Sequence, residues 1–169
     1  MRTKTFSKGF TLIEIMIVVV IIGILAVALF PKLLGAISKS SDEGRKAEAK
    51  SLSVILLQYK NDTGGYYDSA ECVKPDGTLG KKLIDDGYVN TGKFPKDPNV
   101  KNGAPGCPGY FYYVPLAKNG SDSASFAIVA KVENKTQGNV DSVPSQNEDL
   151  KQFSSKIKKG GDYYVELGL

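Results

Sequence analysis

Hydrophobic residues crowd one end of this chain and are dispersed along the rest. From Ile15 to Phe30 no position is charged, and almost every one is Ile, Val, Leu, Met or Ala. The run from Phe10 to Phe30, about 21 residues, is long enough as a helix to cross roughly 30 Å of hydrocarbon. Beyond Pro31 the pattern becomes amphipathic. Leu33, Leu34 and Ile37 continue an apolar face, Ser38 to Lys46 is polar, and Ala47, Ala49, Leu52, Ile55, Leu56 and Tyr59 resume a stripe at helical spacing. Asn61-Asp62-Thr63-Gly64-Gly65 is a helix stop. The pattern predicts one helix of about 51 residues from Phe10 to Lys60, roughly 75 Å long. Pro31 removes a hydrogen-bond donor, which predicts a kink or local loosening there.

The remainder reads as a small α+β domain. Leu79 to Asp86 has a short-helix pattern ending at Gly87, within an irregular stretch (64–109) rich in Gly, Pro, Asp and Asn. Tyr110 to Val114 reads as a strand ended by Pro115, Ser125 to Val132 as a stronger strand, and Tyr163 to Leu167 as a last one. Asn119-Gly120-Ser121-Asp122 is a turn, Gly138 to Glu148 a polar loop, and Phe153 to Ile157 a brief helix or strand. Three or so antiparallel strands packed on the amphipathic half of the helix make the expected fold. Leu52, Ile55, Leu56 and Tyr59 read as core. Asp42, Glu43, Arg45, Lys46, Glu48 and Lys50 read as solvated or inter-subunit charges, with Asp42 and Lys46 paired across one turn.

Composition changes this picture in three respects. Three of the four net positive charges, Arg2, Lys4 and Lys8, precede the apolar run, where a topology signal belongs. Without them the chain is nearly neutral, which argues against a strong nucleic-acid footprint and leaves the Lys156, Lys158 and Lys159 patch as solvated surface. The absence of histidine removes histidine-based acid–base chemistry and the usual zinc sites. Cys72 and Cys107 are the only cysteines. In an exported chain they predict one disulfide, enclosing about 36 residues and worth roughly 4 kcal/mol on a loop-entropy estimate; two unpaired thiols are the alternative.

Three readings compete for the N-terminus. It has the parts of a secretory signal peptide, with a small-x-small site at Ala26-Val27-Ala28 and a mature domain starting near Leu29. It is also long enough to be a plain transmembrane anchor. A third reading accounts for Glu14, a carboxylate between Ile13 and Ile15 that is costly in lipid without a partner or role. Cleavage after Gly9 would create a terminal amine on Phe10, four residues from Glu14. In a packed bundle Glu14 would neutralise the amine of a neighbouring chain and fix an axial stagger.

Lys8-Gly9-Phe10-Thr11-Leu12-Ile13-Glu14, with the apolar run and Pro31 behind it, resembles the class III signal of type IV prepilins and type II secretion pseudopilins. Phe94-Pro95-Lys96-Asp97-Pro98 and Gly109-Tyr110-Phe111-Tyr112-Tyr113 resemble the head of the major pseudopilin, although a cysteine pair is not typical there and the tail is longer. The resemblance implies a leader (1–9), a long helix (10–62) whose residues 10–30 are transmembrane and filament core, and an extracytoplasmic head (63–169). It implies cleavage between Gly9 and Phe10 by a prepilin peptidase and N-methylation of Phe10. Glu14 would then serve assembly and methylation, and the helix between Gly23 and Pro31 would partly unwind. The partners implied are further copies of the chain, an inner-membrane platform, an assembly ATPase and, before assembly, the bilayer.

Two filaments fit. The cysteine pair and substantial head favour a surface type IV pilus used in adhesion, twitching motility or uptake, which is the main reading. The Pro95/Asp97/Pro98 cluster favours the pseudopilin of a secretion apparatus. A monomeric anchored or secreted binding domain is the third class. No catalytic motif stands out. Asp141, Glu148, Asp149 and Asp162 offer oxygen ligands of the kind some pseudopilin heads use for calcium, but no EF-hand spacing joins them, so no metal site is assigned. Asn61, Asn119 and Asn134 begin Asn-x-Ser/Thr triplets of the kind expected by chance.

Overall fold

The computed structural model describes residues 9–98, 106–118, 121–145, 148–149 and 153–168. The predicted leader's Arg2, Lys4 and Lys8, and Asn119 and Gly120 of the predicted turn, lie outside them. The chain divides into two compact units, 1–37 and 38–169.

Helix α1 runs from Leu12 to Thr63, 52 residues, with Pro31 inside it. It starts two residues later than predicted and stays helical through the proline. Within the first unit it is apolar and uncovered: the large hydrophobic residues from Phe10 to Ile37 are 50% to 85% exposed. By length and composition this is a helix able to cross a membrane.

The second unit is a four-stranded antiparallel sheet in the order β1-β2-β3-β4, packed on the C-terminal half of α1. The strands are β1 (Glu71–Val73), β2 (Phe111–Lys118), β3 (Ser121–Lys131) and β4 (Tyr163–Gly168), with helix α2 (Thr78–Asp85) between β1 and β2. The α+β expectation holds, with a short strand β1 added by pairing Glu71–Val73 against Phe111–Tyr113. Side-chain alternation divides the core between the two faces of the sheet. Phe111, Tyr113, Phe126, Ile128 and Ala130 join Ala49, Leu52, Leu56 and Tyr59 of α1 and Leu79 and Leu83 of α2. Val114, Leu116, Ala127, Val129 and Val165 pack on the opposite face with Val140 and Phe153. Both faces are covered, which is why Ser125 to Ala130 is buried at every position.

Three expectations need correction. Pro115 does not end β2; it lies inside, opposite Phe126 of β3. Among the described residues β1 pairs with β2 only as far as Tyr113, so at Pro115 that side of β2 has no partner strand, the kind of edge position where a proline is tolerated. Strand β3 begins at Ser121 rather than Ser125. Ala47, predicted to belong to the apolar stripe, is exposed, whereas Ala49 is fully buried.

Candidate assembly site

The N-terminal segment is built around a helix start. Gly9, Phe10 and Thr11 precede the first helical residue, Leu12. Thr11 and Glu14 form a reciprocal capping box. The Thr11 N–H and hydroxyl donate to Glu14 Oε2 at 2.9 and 2.8 Å. The Glu14 N–H donates back to Thr11 Oγ1 at 3.3 Å. The carboxylate that interrupts the apolar run therefore satisfies its own helix terminus and sits favourably at the positive end of the helix dipole. A side chain at Gly9 would meet no atom within 4 Å, so packing within the chain does not account for a glycine there.

The head carries a second polar arrangement, around Arg45. Arg45 and Asp42 are fully buried and Asp97 is 2% exposed. The Arg45 guanidinium donates from Nε to Asp97 Oδ1 at 2.7 Å and from Nη2 to Glu133 Oε1 at 2.8 Å, and Nη1 bonds Asp42. Asp42 also accepts the backbone N–H groups of Glu133 and Asn134, at 3.0 and 2.8 Å. Burial pushes the Arg45 pKa down, but its bonds to Glu133 and Asp97 more than reverse this and leave it raised. Of the helix charges predicted to be solvated or inter-subunit, Glu43, Glu48 and Lys50 are exposed but Asp42 and Arg45 are buried, and Asp42 does not pair with Lys46, which instead reaches Gln137 at 2.6 Å.

Cys72 and Cys107 form the predicted disulfide, with Cα atoms 5.3 Å apart, tying β1 to the chain just before β2. Among the described residues no three acidic or other metal-ligating side chains cluster. Asp141 pairs with Lys158, Glu148 with Lys156 at 2.5 Å and Asp162 with Lys135 at 2.7 Å. The basic patch at Lys156 and Lys158 is thus exposed, as expected, but matched by acid.

Residues 5–30 match the model of the prokaryotic N-terminal methylation motif. The chain is 34% identical to type II secretion system core protein G of Pseudomonas aeruginosa, over 70% of this chain and 89% of that protein. It is likewise 34% identical to core protein G of Vibrio cholerae, over 58% and 69% of the two chains. A fimbrial protein of Dichelobacter nodosus is 36% identical over 54% and 51%. The chain belongs to the type IV pilin and type II secretion pseudopilin family.

In this pilin-family subunit the predicted site residues fall into two groups. Gly9, Phe10 and Glu14 come together at the start of α1, with Pro31 farther along the same exposed stretch; Cys72 and Cys107 meet in the head. Two features escaped the sequence reading although their signals were present. Thr11-x-x-Glu14 is a capping box in plain sequence. Read backwards from Tyr59, Leu56, Leu52 and Ala49, the buried stripe of α1 steps by three and four residues onto Arg45 and Asp42.

Proposed function

We propose that this chain is the precursor of a pseudopilin, the structural subunit of a type II secretion filament assembled through its N-terminal helix. The observation that carries the proposal is the apolar half of α1. Its large side chains from Phe10 to Ile37 find no cover within their own chain, and their removal from water or lipid contact in an assembly must come from other molecules. Segment 1–9 is the leader, 10–62 the helix that enters the filament and 63–169 the head. A prepilin peptidase cleaves between Gly9 and Phe10, where the backbone precedes the helix, and methylates the new amine of Phe10. Glu14 then exchanges its cap for the amine of a neighbouring copy, and Pro31 eases local unwinding of the packed helix. An inner-membrane platform and an assembly ATPase drive extraction from the membrane.

The secretion reading takes precedence over the surface pilus because the more extensive similarity is to core protein G, over 70% of this chain and 89% of the Pseudomonas aeruginosa protein. The fimbrial relative matches over only about half its length, and it keeps the pilus as the second reading. Deletion and complementation in the native host separate the two. Loss of exported enzymes from the medium, with surface fibres intact, supports the secretion filament. Loss of surface fibres with secretion unchanged overturns it in favour of the pilus.

A further inference from the structure

The buried stripe of α1 within the head changes character partway along. Ala49, Leu52, Leu56 and Tyr59 are apolar and join the main core, whereas Arg45 and Asp42, at the preceding steps of the same stripe, are charged. Between Ser38 and Glu48 the only buried residues are Asp42 and Arg45, while Lys39, Ser40, Glu43, Ala47 and Glu48 are exposed. The two buried side chains of this stretch are thus both charged, and it is held to the rest of the head by their ionic and hydrogen-bond contacts together with Lys46, which bonds Gln137 and lies over the Tyr164 ring at 5.5 Å. The contacts join three distant segments: the helix, the Phe94–Pro98 loop through Asp97, and the chain after β3 through Glu133 and Asn134.

Taking charges out of water is costly, and well-packed apolar residues at such positions are often as stable or more so. Stability alone thus gives no reason to interrupt an apolar stripe with an arginine and an aspartate. Directional bonds differ from apolar packing in one respect that matters here: they are lost as a set when their geometry fails, and every group released is one that water solvates well. A segment held in this way has the makings of a separate opening unit.

We propose that Asp42, Arg45, Asp97 and Glu133 form a polar clasp that opens independently of the apolar core, releasing residues 38–48 and 131–137 from each other while 49–59 stay docked on the sheet. The clasp makes this part of the helix a place where the head changes conformation without unfolding. The inference rests on contacts inside the head and stands whether the subunit builds a secretion filament or a pilus.

Hydrogen exchange on the full chain in lipid nanodiscs tests it, because the N–H groups of Glu133 and Asn134 are tied to Asp42 and report on the clasp directly. In the unaltered protein these two amides are expected to exchange about tenfold or more faster than those of β3 residues 126–130. Arg45→Met should speed them by about a further tenfold and leave exchange in 49–59 within about twofold. Equal exchange of the clasp and core amides in the unaltered protein would overturn the proposal. So would acceleration of 49–59 in step with the clasp in Arg45→Met. Should Arg45→Met fail to fold, the unaltered protein alone still decides the matter.

Discussion

One helix serves two environments in this chain. Up to Ile37, α1 presents Ile, Val, Leu and Phe on every side, and its large apolar residues are at least half exposed. From Ala49 onward its apolar residues are sorted onto one face, and Leu52, Leu56 and Tyr59 are buried against the sheet. The contrast separates two sources of stability. The head supplies its own solvent-excluded face, as a helix with a narrow apolar stripe does. The N-terminal half is apolar all round, so it is stable only where lipid or other helices surround it. A disruptive change should therefore act on assembly in one region and on folding in the other.

The largest effect expected is at the proposed processing junction. Gly9→Val should reduce filament-associated protein to background, while the head keeps its native disulfide and protease resistance; immunoblots of membrane and sheared fractions check both. A full filament yield would remove Gly9 from the processing step. Next is the disulfide, whose cysteines are 35 positions apart. Cys72→Ser should lower head stability by about 4 kcal/mol, seen as an earlier denaturant midpoint, with no direct effect on membrane insertion.

Leu52→Ala and Ile17→Ala set the two regions directly against each other. The first empties a fully buried site and should cost the head about 2–5 kcal/mol. The second removes an exposed side chain, should shift head stability by less than about 0.5 kcal/mol and should act on filament yield instead. Equal destabilisation by both would end the division drawn above.

The smallest effect is on pH dependence. Burial, and then the charge of Asp68, raise the Tyr113 phenol above its ordinary value, and its hydroxyl donates to the Tyr67 carbonyl at 2.7 Å. The folded state thus keeps a proton that the unfolded state releases near pH 10. Stability should fall as pH rises past about 10, by up to about 1.4 kcal/mol per pH unit for this one group. Denaturation profiles at pH 9 to 11 should flatten in Tyr113→Phe, and an unchanged slope would remove Tyr113 from the account.

The sequence made the membrane-compatible helix, the head's fold class and the disulfide readable because each leaves a local mark: an uninterrupted apolar run, a period of two or 3.6, and a lone cysteine pair. Strand β1 left none. Glu71-Cys72-Val73 is too short to show alternation and becomes a strand only by pairing with β2. Pro115 reads as a strand end in the sequence because a proline's tolerance depends on whether its strand has a neighbour on that side, which is a property of the sheet. Arg45 reads as a solvated or inter-subunit charge because charge normally means exposure. Its burial depends on Asp97 and Glu133, 52 and 88 residues away, so residue type pointed one way and helical spacing the other. Here spacing was the better guide.

The most direct test of the central claim is the intact mass and N-terminal sequence of this protein from native membranes and from sheared or periplasmic filament fractions. The expected result is a polymerised species that begins at N-methylated Phe10, with the Cys72–Cys107 bond intact. A soluble monomer beginning at Leu29, or an unprocessed chain that never polymerises, would contradict it and leave an ordinary exported or anchored domain.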